Sequence, residues 1–115
     1  MELEIGDAQD GVTRVALVGR LDSAGVDRVE TRFSATTAAV GRDTVVDLSR
    51  LEFIASMGIR MLIVSARALS RKGARLVLLD PPKLVEGVLR DTVVDEIIPV
   101  VHGEDAVREI LAGSA

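Results

Sequence analysis

The residue with the most chemical potential in this sequence is a serine at the end of one short run. Val45-Val46-Asp47-Leu48-Ser49-Arg50-Leu51-Glu52-Phe53-Ile54-Ala55-Ser56-Met57-Gly58-Ile59 reads as a buried strand, a tight polar turn and then Ser56 opening a helix. A serine there can cap the helix, a contribution of about 1 kcal/mol. It can also carry a phosphate, about −1.5 to −2 charges at neutral pH. Unpaired backbone N–H groups at Met57, Gly58 and Ile59, together with the helix dipole, would stabilise that charge. Gly58 has no Cβ, so a partner backbone or a nucleotide could approach closely.

Two carboxylates join the candidate site. Asp22 lies in the turn after the second strand and Asp47 near the end of the third. Parallel strands would bring both to one sheet edge beside Ser56, where open α/β sheets bind ligands. The alternatives are an Asx-turn for Asp22 and local hydrogen bonding for Asp47. Met57, Met61 and Val64 fall off the main apolar stripe of the helix after Ser56. They read as a docking face, since methionine adapts to varied surfaces, or as the edge of a wide buried stripe.

Hydrolysis is poorly supported. Ser56 has Ile54 and Gly58 around it instead of the Gly-x-Ser-x-Gly elbow, and the single histidine, His102, sits near the last helix. No phosphate-binding or dinucleotide-binding glycine loop is present. Without cysteine, neither disulfides nor thiolate chemistry is available, and one histidine does not make a zinc site. The expectation is a non-enzyme without metal or cofactor.

The elements that position these residues follow from periodicity. Residues 2–5 and 12–19 read as a hairpin around Asp10-Gly11. Val26, Val29, Phe33, Thr37 and Val40 mark a helix, with Ser23 as N-cap and Gly41 as its stop. Residues 44–48 form a strand, and a turn leads to Ser56. Ile59, Leu62, Ile63, Ala66 and Leu69 stripe a second helix ended by Gly73. Residues 75–79 form a strand. Asp80 caps a third helix that starts with proline and uses Leu84, Val88 and Leu89. Residues 97–101 form an edge strand. Ala106, Val107, Ile110 and Leu111 mark the last helix, after which Gly113-Ser114-Ala115 should fray. The order β-β-α-β-α-β-α-β-α implies a small mixed, largely parallel α/β sheet with helices mainly on one face.

Composition agrees with one domain over residues 1–115. The chain is 48 % apolar, enough for a single core. Its charge of −4, two phenylalanines and lack of Trp and Tyr argue against a nucleic-acid surface. No apolar run approaches the roughly 20 residues that span a bilayer, and no signal peptide is visible, so a cytoplasmic protein is expected.

The sequence resembles the STAS domain family, and within it the stand-alone anti-sigma-factor antagonists of bacteria. Val18-Gly19-Arg20-Leu21-Asp22 is similar to the family's Gly-x-Leu-Asp turn. Val46-Asp47-Leu48-Ser49 with Phe53-Ile54-Ala55-Ser56-Met57-Gly58-Ile59 is similar to its Asp-Leu-Ser…Phe-Ile-Asp-Ser-Ser/Thr-Gly-Leu signature. Leu76 to Leu79, Val88-Leu89 and Ile97-Ile98-Pro99 resemble its C-terminal half.

The resemblance implies partner switching. The unmodified protein binds a GHKL-type serine kinase that is also an anti-sigma factor, is released when Ser56 is phosphorylated, and is restored by a metal-dependent phosphatase. Asp22 and Gly58 then correspond to the acidic neighbour and the motif glycine. Ala55 and Met57 depart from the pattern, which has Asp and Ser or Thr there. They point to partner choice, or to the alternative of a non-switching STAS subunit of a transporter or larger signalling complex.

Overall fold

A computed structural model describes residues 1–7 and 10–113; Ala8, Gln9 and the expected fraying of Ser114-Ala115 lie outside the described residues. The elements are β1 (Glu2–Ile5), β2 (Thr13–Leu21), α1 (Ser23–Thr36), β3 (Thr44–Asp47), β4 (Leu51–Ile54), α2 (Ser56–Arg71), β5 (Leu76–Leu79), α3 (Lys83–Asp91), β6 (Val100–Val101) and α4 (Glu104–Ala112). A 3-10 turn covers Val94–Glu96. β1 pairs antiparallel with β2, and the remaining pairs are parallel, in the order β1-β2-β3-β5-β6 with β4 also on β2.

The expected α/β class and mixed sheet hold. Alternation along β2 separates its faces. Val15, Leu17 and Leu21 join Val46, Leu78, Phe33, Leu62 and Leu89 in the main core, which α1, α2 and α3 cover. On the opposite face Val45, Val77, Leu79 and Val101 pack against Val107 of α4. Arg14 fastens that helix by donating from both terminal nitrogens to Glu104, at 2.9 and 2.6 Å.

Several local expectations are corrected. The polar turn before Ser56 contains a strand, β4, because β2 runs on past residue 19. Gly19 sits at φ +105 where the β2–β4 register shifts, a bulge that lets the strand continue. β3 and β4 thus lie end to end along one long neighbour. Asp22, not Ser23, caps α1. That helix ends at Thr36, short of Gly41, and leaves Val40 exposed. Pro82, not Asp80, is the N-cap of α3; Asp80 adopts φ +54 and accepts from the Gly103 N–H instead. Val85 is buried on α3, whereas Leu84 is exposed. The last strand shrinks to two residues, because the Ile97 and Ile98 N–H groups turn back to donate to the Val94 carbonyl, both at 2.8 Å.

Candidate functional site at the start of α2

The site is built where two parallel strands end together. Leu21 of β2 pairs with Ile54 of β4, and the next N–H, that of Ala55, donates to the Leu21 carbonyl at 3.0 Å. Asp22 and Ala55 therefore leave the sheet side by side, each as the N-cap of a helix. They do this job differently. Asp22 accepts from the Gly25 N–H at 2.9 Å. Ala55 has no side-chain atom to offer, and α2 begins without a side-chain cap.

Ser56 is accordingly the first helical residue and not the N-cap, which corrects the capping reading. Its side chain is exposed and makes no hydrogen bond among the described residues. The Gly58 and Ile59 N–H groups both donate to the Ala55 carbonyl, at 2.9 and 3.1 Å, so they are not the free donors that the sequence suggested. Those of Ser56 and Met57 have no backbone acceptor among the described residues. Two donors and the positive end of a sixteen-residue helix remain open beside the hydroxyl, an arrangement that favours an anion.

Gly58 faces inward. It is buried against Leu21, so its missing side chain serves packing within the chain and leaves no path for a partner's backbone. Asp22 stays close to the start of α2 as a charged group. The Gly25 N–H, and then the Arg20 guanidinium 3.6 Å away, hold its carboxyl below the usual carboxylate range. Arg20 in turn lies over the Phe53 ring, 4.3 Å from its centroid. The Asx-turn alternative for Asp22 is therefore realised as a helix cap.

Asp47 does not join the site. It pairs with Ala16, whereas Ile54 pairs with Leu21. Five residues at about 3.3 Å each separate the two levels, roughly 16 Å along β2. Its carboxylate accepts from the Ser49 N–H at 2.8 Å, which is the local hydrogen bond weighed from sequence.

The three apolar candidates divide. Met57 and Val64 are exposed, at 42 % and 55 %, but Met61 is 4 % exposed and belongs to the core. It turns inward because α2 packs on α1 as well as on the sheet, so its buried arc is wider than the apolar stripe. Between α1 and α2 runs a groove of about 490 Å³ whose lining includes Phe33, Met57, Met61, Val64, Glu30 and Arg60. Arg60 belongs to none of the motifs that the sequence shows. The signal was available, since α2 carries Arg60, Arg67 and Arg71 and no acidic residue.

A family model described as Mlab, STAS domain matches residues 6–101. The chain belongs to the STAS domain family. This STAS domain is 30 % identical over 100 residues to BtrV of Bordetella bronchiseptica RB50, a protein named as a candidate anti-sigma factor antagonist. The match covers 87 % of this chain and 86 % of BtrV. Its fold is similar to that of an anti-sigma factor antagonist from Mycobacterium paratuberculosis, with a TM-score of 0.81, 21 % identity and coverage of 95 % and 93 %. It is also similar to the anti-sigma factor antagonist SpoIIAA in its unphosphorylated form, with a TM-score of 0.78, 19 % identity and coverage of 96 % and 97 %. The phosphorylated form of Bacillus SpoIIAA gives a TM-score of 0.69 at 19 % identity, with coverage of 95 % and 99 %. No helix among the described residues is long and apolar enough to cross a membrane.

Proposed function

We propose that this STAS domain is an anti-sigma-factor antagonist that works by partner switching. The observation that carries this reading is Ser56: an exposed hydroxyl on the first residue of an uncapped helix, with two open N–H groups beside it. Unmodified, the face of α2 around Met57 and Val64 docks on a GHKL-type serine kinase that acts as the anti-sigma factor. Phosphorylation of Ser56 introduces charge at that face and releases the kinase; a metal-dependent phosphatase reverses the change. The phosphate is stabilised by the helix N-terminus, so the modified state costs the fold little. The similarity to BtrV and to SpoIIAA, a protein solved with and without phosphate, supports this reading.

The test is incubation with a GHKL-type serine kinase and ATP, followed by mass-spectrometric mapping. Phosphate on Ser56 with loss of kinase binding is expected. Stable binding with Ser56 left unmodified would sink the switch. Ser56→Asp should weaken binding by placing charge on the docking face, and unchanged affinity would count against that face.

Ala55 and the exposed Met57 favour a second reading, a STAS subunit that holds a transporter ATPase permanently. Co-purification with a membrane ATPase, and with no serine kinase, would select it.

A further inference from the structure

The charge on α2 is unlike that of the rest of the chain. The 115-residue sequence carries −4, yet α2 holds three arginines and no carboxylate. Arg60, Arg67 and Arg71 are exposed, and none of them forms an ion pair or hydrogen bond with another described residue. At about 100° per residue, Ser56, Arg67, Arg60, Arg71, Val64 and Met57 fall, in that order, within an arc of about 100° on the helix. One edge of the arc is basic. The other edge is apolar and borders the groove against α1. The acidic group on the α1 side of that groove is Glu30.

We propose that this stripe receives an acidic amphipathic helix of a partner protein, whose apolar residues enter the α1–α2 groove while its carboxylates pair with Arg60, Arg67 and Arg71. This rests on the reading of α2 as the docking helix and names the chemistry of what docks there. The charge complement is acidic because three unpartnered guanidiniums line the stripe, and charge complementarity of this kind sets orientation and rate of encounter. The occupant is a helix because the groove runs along α2 and its apolar contacts, Met57 and Val64, are spaced by two turns. A lipid surface suits it less, since Met57 and Val64 flank a concave groove and do not form a protruding apolar ridge.

The arrangement also explains how a phosphate would act. Ser56 and Arg60 are four residues apart, so they are neighbours on one helix face. A phosphate on Ser56 engages the Arg60 guanidinium that the partner's carboxylate needs, and it repels that carboxylate as well.

The probe is a synthetic helical peptide with Leu at positions i and i+4 and Glu elsewhere, titrated into the isotope-labelled full chain. Amide shifts centred on Met57, Arg60, Val64 and Arg67 are expected, weakening as salt is raised. Arg60→Glu combined with Arg67→Glu should weaken binding by about tenfold, given ordinary surface-pair energies. Arg60→Lys should retain most of it. The proposal is overturned by an absence of shifts on α2, by equal binding of the same peptide with Lys for Glu, or by equal binding of a scrambled acidic peptide with no apolar face. Shifts on α2 with phosphatidylserine-containing vesicles but none with the acidic peptide would overturn it in favour of a membrane surface. The peptide binds the unmodified chain, so failure of a kinase to phosphorylate Ser56 leaves this result standing, and the reverse also holds.

Discussion

Leu21 occupies the space that a side chain at position 58 would need. A Cβ built on Gly58 would lie 2.7 Å from the Leu21 Cγ and 2.8 Å from its carbonyl oxygen. Part of that obstacle is backbone, and the same carbonyl accepts the Ala55 N–H. The end of β2 and the first turn of α2 are thus locked together by contact and by hydrogen bonding.

Gly58→Ala should therefore destabilise the fold by about 1–3 kcal/mol, the usual range for overpacking. Gly87 of α3 is the matched control, because a Cβ there meets nothing within 4 Å. Gly87→Ala should stabilise by up to about 1 kcal/mol through helix propensity. Urea denaturation of both variants checks the pair. Equal midpoints would show that the Leu21 contact relaxes freely.

Ala55→Asp should supply the side-chain cap that α2 lacks. The expected gain is about 0.5–2 kcal/mol, the range measured for capping residues against alanine. Ser56→Ala should change stability little, because the hydroxyl caps nothing. Thermal unfolding of the two variants separates the roles of these neighbours, and a large loss in Ser56→Ala would contradict the position assigned to Ser56.

Asp22→Asn and Asp22→Ala should part company. Asparagine keeps an acceptor for the Gly25 N–H, whereas alanine leaves α1 uncapped. Because its carboxyl is depressed in the folded protein, Asp22 adds stability above the ordinary aspartate range. That contribution is lost as pH falls through the depressed value. Denaturation midpoints measured between neutral and acid pH should fall less steeply in Asp22→Asn than in the parent chain.

His102 titrates with the opposite sign. Its Nε2 lies 3.0 Å from a Glu86 carboxylate oxygen and its Nδ1 is 3.6 Å from Asp80. Glu86 first, and Asp80 after it, raise the imidazole above its ordinary value. The stabilisation is complete below the ordinary histidine pKa and disappears as pH rises through the raised one. An NMR titration should place the His102 midpoint above that of an unstructured histidine, and Glu86→Gln should bring it down. No change in Glu86→Gln would remove the pair as the cause.

What the sequence made legible follows the range of the interactions involved. The β1–β2 hairpin, the start of α2 and the end of that helix at Gly73 depend on neighbours a few residues apart, and all were readable. β4 was not. Leu51-Glu52-Phe53-Ile54 is four residues long and is a strand only because β2 continues past Gly19 to meet it, a pairing over some thirty residues. Asp22 and Ser23 are both good caps, and their order was settled by where β2 ends. Met61 was misplaced because the sheet side of α2 is visible as periodicity, while its contact with α1 is not. Asp47 was misplaced for the same reason as β4: the level of β3 on β2 is a matter of register, which no local pattern states.

The isolation of α4 gives the molecule two tiers of cooperativity. Three helices share the main core, but α4 rests on a smaller cluster across the sheet, held by Val107 with Ala106, Ile110 and Leu111 beside it, by the Arg14–Glu104 clamp and by Arg75 donating to the Ile110 carbonyl at 2.8 Å. Such a unit opens at lower free energy than the rest. Amides of α4 should exchange with solvent before those of α2, and a protease should trim the C-terminal helix first. The proposed docking helix lies on the other side of the sheet, so cargo fused at the C-terminus would load the tier that the partner never touches.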